Sequence, residues 1–412
     1  MHYRPLSKLY YDGAEKYMEA YTQRFHSEST CHLDFLIGDA PAFFLVTTET
    51  LSRLTSIYKS DKHLTQLRSR LPSAAIGQFT ISSLVDEILL TNSIEGVHST
   101  RREIEDVLDS LRQNDQRKRF QGLVQKYTLL QTSEDIPLKT PEDLRAIYDE
   151  LVLAEVREED AGDVPDGRLF RKEITYVTSA AGKVLHAGVY PEEKILSSLE
   201  KALAFLNDED CNLLLRLSVF HYLFGYIHPF YNGNGRTSRF ISSYLIAKEL
   251  DPLVGYRLSY SIKESIHDYY QAFRLCNDRK NKGDLTPFLL VFLEIIDHSM
   301  KDLVYALQKR LERWNYYSAH CQALLCLDKT DQKTLPLCDL LIQASLFGTK
   351  GISSDDLCTQ LGISKPTLTS RLKALSPEEL VSVVVEGHRK YYRLDLSVLD
   401  SLGNSSSPRR SP

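Results

Sequence analysis

The sequence lacks most of the marks that place a chain in a specialised class. None of its seven cysteines (Cys31, Cys211, Cys276, Cys321, Cys326, Cys338 and Cys358) forms a CxxC pair. Cys321 and Cys326 stand five apart with no second pair, so a zinc site is not expected; reduced thiols in a cytoplasmic protein fit better. Charge of one sign is not in excess: 50 Lys and Arg against 55 Asp and Glu leave a formal net charge of −5, with no general pull toward nucleic acid or membranes. No apolar run reads as long enough to cross a membrane. The opening Met1-His-Tyr-Arg-Pro-Leu has no apolar signal core, and no solenoid repeat is visible. What remains is an ordinary globular composition, 42% hydrophobic and 25% charged over 412 residues, with room for about two or three domains.

The most specific stretch is His228-Pro-Phe-Tyr-Asn-Gly-Asn-Gly-Arg-Thr-Ser-Arg239. Before it, Leu213, Leu217, Phe220, Phe224 and Ile227 recur at helical spacing, and Phe240 to Leu250 is apolar again. The string therefore reads as a helix, a tight loop and a new helix N-terminus. That geometry aims backbone N–H groups and a positive dipole end at one spot, which suits an anion. Gly233 and Gly235 let backbone approach a phosphate closely. An imidazole at His228 can take a proton near neutral pH. Arg236 and Arg239, three apart, share a face and offer two forks for further phosphates.

The string resembles the signature of the Fic family (Fic/DOC), HPFx[D/E]GNGRxxR, at every specified position but one: Asn232 stands where the family has an acid. The resemblance implies transfer of AMP from ATP, with Mg²⁺, to a Ser, Thr or Tyr hydroxyl of a protein target. His228 would then be the catalytic base. Asn234, Gly233, Gly235 and the loop N–H groups would hold the α-phosphate, Arg236 the β-phosphate and Arg239 the γ-phosphate, while Phe230 anchors the loop. Asn232, an amide, would serve Mg²⁺ only weakly or through water, which predicts slower transfer. Gly235 separates the chain from the branch that acts as a kinase and carries lysine there.

Two upstream segments agree with this resemblance. Thr91-Asn-Ser-Ile-Glu95-Gly96 matches the pattern [S/T]xxxE[G/N] of the family's inhibitory helix. Ile81, Leu84, Val85, Ile88 and Leu89 give its helical periodicity, and Gly96 is placed to end it. By resemblance, Glu95 would take Arg239 in a bidentate salt bridge, holding ATP unproductively, and in some relatives the same glutamate assists removal of AMP. The second segment, Ile174–Val177 and Val184–Val189 around the turn Ser179–Lys183, reads as a β-hairpin closed by Pro191. It is either the family's flap, which receives a target strand, or a plain surface hairpin. Tyr269 and Tyr270 either line the nucleotide base or pack in the core.

The expected fold is mainly α: a Fic-type helical core with a β-hairpin flap, plus a C-terminal winged helix domain. Residues 1–70 are expected to be an extension and 71–300 the Fic domain, with the inhibitory helix at about 81–96. A helical linker over 301–335, a winged helix-turn-helix over 336–398 and a disordered tail over 399–412 follow. Thr140 is a plausible N-cap with Pro141 in the first turn of a helix through Leu153. In the winged unit Ser364, Thr367, Thr369, Ser370, Arg371 and Lys373 are candidates for the major groove, and His388, Arg389 and Lys390 for phosphates. Yet residues 336–412 hold nine Lys and Arg against eight Asp and Glu, so protein docking is as natural as DNA binding. Two function classes stay open. One is an autoinhibited adenylyltransferase, with ATP and a protein as partners and homodimers as its expected state. The other is a DNA-binding regulator whose Fic domain binds nucleotide with little or no turnover. Transfer of another phosphate-containing group is a third option.

Overall fold

The computed structural model describes residues 3–111, 118–132, 134–178, 184–324, 334–375, 378–386 and 389–405. The turn at Ser179–Lys183, His388, Cys326 and the tail from residue 406 lie outside them. The chain is mostly helical and divides into two compact units: residues 1–62 with 84–302, and 63–83 with 303–412. Residues 1–62, expected as an extension, are thus part of the first unit. Their strands Thr30–Ile37 and Ala40–Leu45 form an antiparallel hairpin. Phe43, fully buried, joins its backbone to the stretch ahead of the last helix of the unit, accepting from Leu285 N at 2.7 Å and donating to Gly283 O at 3.0 Å.

Local sequence accounts for the elements around the His228–Arg239 string. The helix Pro141–Leu151 starts as expected: Thr140 Oγ1 accepts from Asp143 N at 3.2 Å, and the Asp143 carboxylate accepts from Thr140 N at 2.8 Å, a reciprocal capping box. Asn212 caps the helix Leu213–Ile227. Its sequence LLLRLSVFHYLFGYI is apolar nearly all round, and most of it is buried, as befits a central helix. Helix Asn234–Glu249 follows after the loop and is buried along most of its length as well. The hairpin pairs Tyr176 with Ala187 and Val177 with His186.

The helix Ser73–Ile94 corrects the expectation that no segment has membrane-spanning length. Its 22 residues and mean hydropathy of 1.2 pass that test, with half of the apolar window buried inside the protein. Alternating polar positions had hidden the run. Its Glu87 is fully buried and accepts from Ser259 N and Oγ at 2.9 and 2.6 Å. That is the behaviour of a helix packed within protein, where a buried carboxylate finds donors. Burial pushes the Glu87 carboxyl up to about 7, against those hydrogen bonds. Gly96, at φ +74°, lies just past the helix end as expected.

In the second unit, the helices Leu335–Phe347, Ser354–Leu361 and Lys365–Ala374 are followed by strands Val381–Glu386 and Arg389–Leu394. The strands pair antiparallel from Val381↔Leu394 to Glu386↔Arg389, and Ile352 adds a third strand opposite Tyr392. Ser353 and Ser364 cap the two middle helices. Where a linker is expected over 301–335, the helix Thr286–Leu324 continues unbroken from the first unit. Where a tail is expected from 399, a helix runs over Leu396–Ser405: Leu399 is fully buried and Asp400 accepts from Tyr317 OH at 2.8 Å. Long-range burial of one leucine overrides the weak local signal.

Thr140→Ala should cost about 1 kcal/mol of stability in urea unfolding, and Thr140→Ser should keep most of it; equal stability of all three proteins would show that the box does not hold this helix.

Candidate active site

The loop between helices Leu213–Ile227 and Asn234–Glu249 is closed by its own side chains. His228 caps the first helix with φ +52°, and its N–H donates to Phe224 O at 2.9 Å. Asn234 spans the loop: Oδ1 accepts from Phe230 N at 3.0 Å and Nδ2 donates to Phe230 O at 2.7 Å. Its amide is therefore spent as a clamp, and what it offers an anion is its backbone N–H. The Phe230 ring is fully buried and stacks on Tyr148 at 3.6 Å between centroids. Gly233, at φ +82°, turns the chain into the second helix with Tyr148, Val152 and Val156 directly behind it. The first intrahelical bond is Thr237 N to Gly233 O at 3.0 Å, so the N–H groups of Asn234, Gly235 and Arg236 have no partner within the helix.

Arg171, at the end of the segment Gly167-Arg-Leu-Phe-Arg171 ahead of the hairpin, holds the loop from the other side. It is fully buried and donates only to carbonyls: His228 O at 2.9 Å, Glu173 O at 2.6 Å and Val189 O at 2.8 Å. Val189 N donates to Ile227 O at 3.0 Å. The hairpin is thereby tied to the residue before the histidine and, through Arg171, to the histidine itself. A side chain at Gly188 would meet Arg171 Nη2 at 2.4 Å. Burial, aided by the Arg171 charge, holds the His228 imidazole down to about 4, against the pull of Glu95 and a hydrogen bond to the Gly225 backbone. The ring is neutral at pH 7 and able to accept a proton.

The two arginines differ in how they are satisfied. Arg239, buried, donates through Nε to Thr91 Oγ1 at 2.8 Å and through Nη2 to Thr91 O at 3.0 Å and Glu95 Oε1 at 2.9 Å. Glu95 thus meets it through one oxygen, not the two-pronged pair expected, because Thr91 takes Nε. Burial works against the charge, yet the Glu95 carboxylate raises the Arg239 pKa. Gly235 makes room for this: a Cβ there would lie 2.1 Å from Glu95 Oε1. Arg236 is fully buried, and among the described residues none of its three guanidinium nitrogens has a hydrogen-bond partner; a loose ion pair to Glu159 at 3.8 Å is its nearest carboxylate contact there. A cation held this way is costly unless an anion arrives.

Tyr269 and Tyr270 separate. Tyr269 is buried and shares a 2.7 Å hydrogen bond with His221 Nε2, whose Nδ1 is 2.7 Å from Ser242 Oγ. Tyr269 is a core residue, which leaves Tyr270, 42% exposed and close enough to Glu95 and Arg239 to feel both charges, as the aromatic at the surface of the site. Asn232 turns Oδ1 back to Gly233 N at 2.6 Å and Nδ2 to Asp163 Oδ2 at 3.2 Å. Residues 138–246 match the family model described as the Fic/DOC family.

This chain carries a Fic/DOC domain.

The match contains the loop and both arginines; Glu95, Tyr269 and Tyr270 lie outside it. The chain is similar to a protein named protein adenylyltransferase Fic from Nematostella vectensis, 31% identical over 121 residues, covering 26% of each chain. It is also similar to the protein of the same name from Drosophila grimshawi, 34% identical over 88 residues, covering 21% of this chain and 16% of that one. The matches therefore span about a quarter or less of these relatives. Among solved structures, a Fic family protein from Desulfovibrio desulfuricans G20 aligns at 20% identity, over 82% of this chain and 95% of that chain, with a TM-score of 0.46. Fic-1 from C. elegans (residues 134–508) aligns at 17% identity, over 63% and 74%, with a TM-score of 0.41.

Gly235→Ala should evict the Glu95 carboxylate from Arg239. In a double-mutant cycle by urea unfolding, Glu95→Gln should cost about 1–3 kcal/mol in the wild type and close to nothing beside Gly235→Ala; an equal cost in both backgrounds would sink the steric account.

Proposed function

We propose that this Fic domain is a protein adenylyltransferase, held in check by Glu95. The observation that carries the reading is Arg236: a buried guanidinium without a hydrogen-bond partner among the described residues, at the first turn of a helix whose leading N–H groups have no partner within the helix, beside a neutral imidazole. That combination suits a polyphosphate reacting next to a base. ATP is the donor and a hydroxyl of a protein target the acceptor. The hydroxyl oxygen attacks the α-phosphorus, its proton passes to the free ring nitrogen of His228, and the bond from the α-phosphorus to the β-bridging oxygen breaks, releasing pyrophosphate. The N–H groups of Asn234 and Gly235 receive the charge that builds on the α-phosphate, and Arg236 receives that on the β-phosphate. Arg171 keeps the His228 backbone in its left-handed conformation, so the imidazole needs no reorganisation.

Mg²⁺ bound with ATP would supply charge neutralisation at the phosphates. Asn232 fits this role poorly by itself. Its amide oxygen faces Gly233 N–H and its NH₂ faces Asp163; a flipped amide would set NH₂ against N–H and oxygen against carboxylate. Glu95 acts as the brake because it occupies the guanidinium that a γ-phosphate would use.

A second reading, DNA contact through residues 335–405, is favoured by the exposed polar face of Lys365–Ala374. Thr367, Thr369 and Lys373 are exposed, Arg371 and Arg389 half-buried, and Lys390 is exposed on the hairpin. Lys365 is paired with Asp355 at 2.7 Å, and the unit is nearly neutral.

Label transfer from [α-³²P]ATP should be weak in the wild type, at least tenfold stronger in Glu95→Gly and lost in Glu95→Gly/His228→Ala. ATP binding without label on protein in any of the three would overturn the transferase. For the second reading, a duplex-selection experiment should yield a preferred site that Lys373→Ala weakens; binding that is absent, or unchanged by this substitution, removes that helix as a DNA reader.

A further inference from the structure

The segment just before the hairpin places two carboxylates along the loop in register. Glu159 ends the helix Leu153–Glu159, and Asp163 ends the short 3₁₀ turn Ala161–Asp163. Glu159 faces Arg236 at 3.8 Å, and Asp163 faces Asn232 at 3.2 Å. Residues four apart on this segment thus meet residues four apart on the loop and first helical turn, running in opposite directions. Asp163 is half-buried; Oδ2 is held by the Asn232 amide, and Oδ1 has no hydrogen bond among the described residues. Arg236, fully buried and without a hydrogen bond among the described residues, independently marks the place an anion takes.

Carboxylates beside a polyphosphate repel it unless a cation lies between. Resting on the nucleotide reading above, we propose that Asp163 supplies the carboxylate for a divalent cation bound with ATP, and that Asn232 is its positioning residue. The Asn232 oxygen is turned inward and contributes no charge, but its NH₂ group orients the Asp163 carboxylate, as outer partners orient metal ligands. Among the described residues no group of three or more His, Cys, Asp or Glu forms a cage. Mg²⁺ is commonly held by one or two carboxylates with phosphate oxygens and water in its other positions, so Asp163 alone would suffice as the protein's charged ligand. The negative charge that the loop lacks at position 232 is thus returned from a neighbouring segment.

The test is calorimetric ATP binding to the full chain in the Glu95→Gly background, with Mg²⁺ and with EDTA. Mg²⁺ should tighten binding. Asp163→Asn, which keeps size and removes charge, should lose at least tenfold of that gain while leaving affinity in EDTA equal or tighter. Adding Asn232→Asp to Asp163→Asn should restore the gain. A parent with no Mg²⁺ gain, or an Asp163→Asn protein that keeps all of it while still binding ATP, would overturn the assignment of Asp163 and leave the nucleotide site standing. No ATP binding in either buffer would overturn both.

Discussion

Two guanidinium groups taken out of water at the start of one helix set the terms for the rest of this site. Arg236 and Arg239 lie buried where the helix dipole is already positive, so each adds charge where charge is least welcome. The surroundings answer with anions or acceptors. Thr91 and Glu95, a helical turn apart, compensate Arg239, and Glu87, a turn further back on the same helix and buried, adds a carboxylate to the same neighbourhood. Arg236 has a loose ion pair to Glu159 at 3.8 Å and no hydrogen bond among the described residues. The two arginines are thus unequally compensated: Arg239 by hydrogen bonds, Arg236 by a loose ion pair alone.

A preorganised loop is the second consequence. Phosphate recognition by backbone N–H groups requires that the backbone not move when charge develops. Three contacts secure this: the two-ended Asn234 clamp on Phe230, the Phe230 ring on Tyr148, and Arg171 across the carbonyls of His228 and Val189. The glycines fit the same logic. Gly233 supplies a left-handed turn against a wall of side chains, and Gly235 clears the space that Glu95 enters. A side chain at Gly233 would press on Val152 and Tyr148, and one at Gly235 on the Glu95 carboxylate.

Much of this was legible in the chain. The capping box at Thr140, the turn of Gly96, the helix–loop–helix around His228 and the three helices and hairpin between residues 335 and 394 all follow from caps, periodicity and turn residues, signals that act over a few residues. The sequence left alternatives open, or pointed elsewhere, where burial decides. Tyr269 and Tyr270 are neighbours of one type, yet one bonds a buried histidine and the other faces outward. The Leu396–Ser405 helix has weak local propensity and is held by the burial of Leu399. Arg171 and Asp163 carried no motif of their own, and only proximity to the loop reveals them.

The sequence by itself determined the reacting inventory: a histidine, a glycine loop at a helix start, two arginines and an upstream glutamate, because those elements are encoded by contiguous residues and short-range geometry. Tertiary structure alone decided how each polar atom is spent. Asn234 clamps, Asn232 orients, Arg239 is occupied and Arg236 is not. Such choices depend on hydrogen-bond partners that arrive from residues tens to more than a hundred positions away, as Thr91 does for Arg239, and no local pattern records which of two like side chains will find one first.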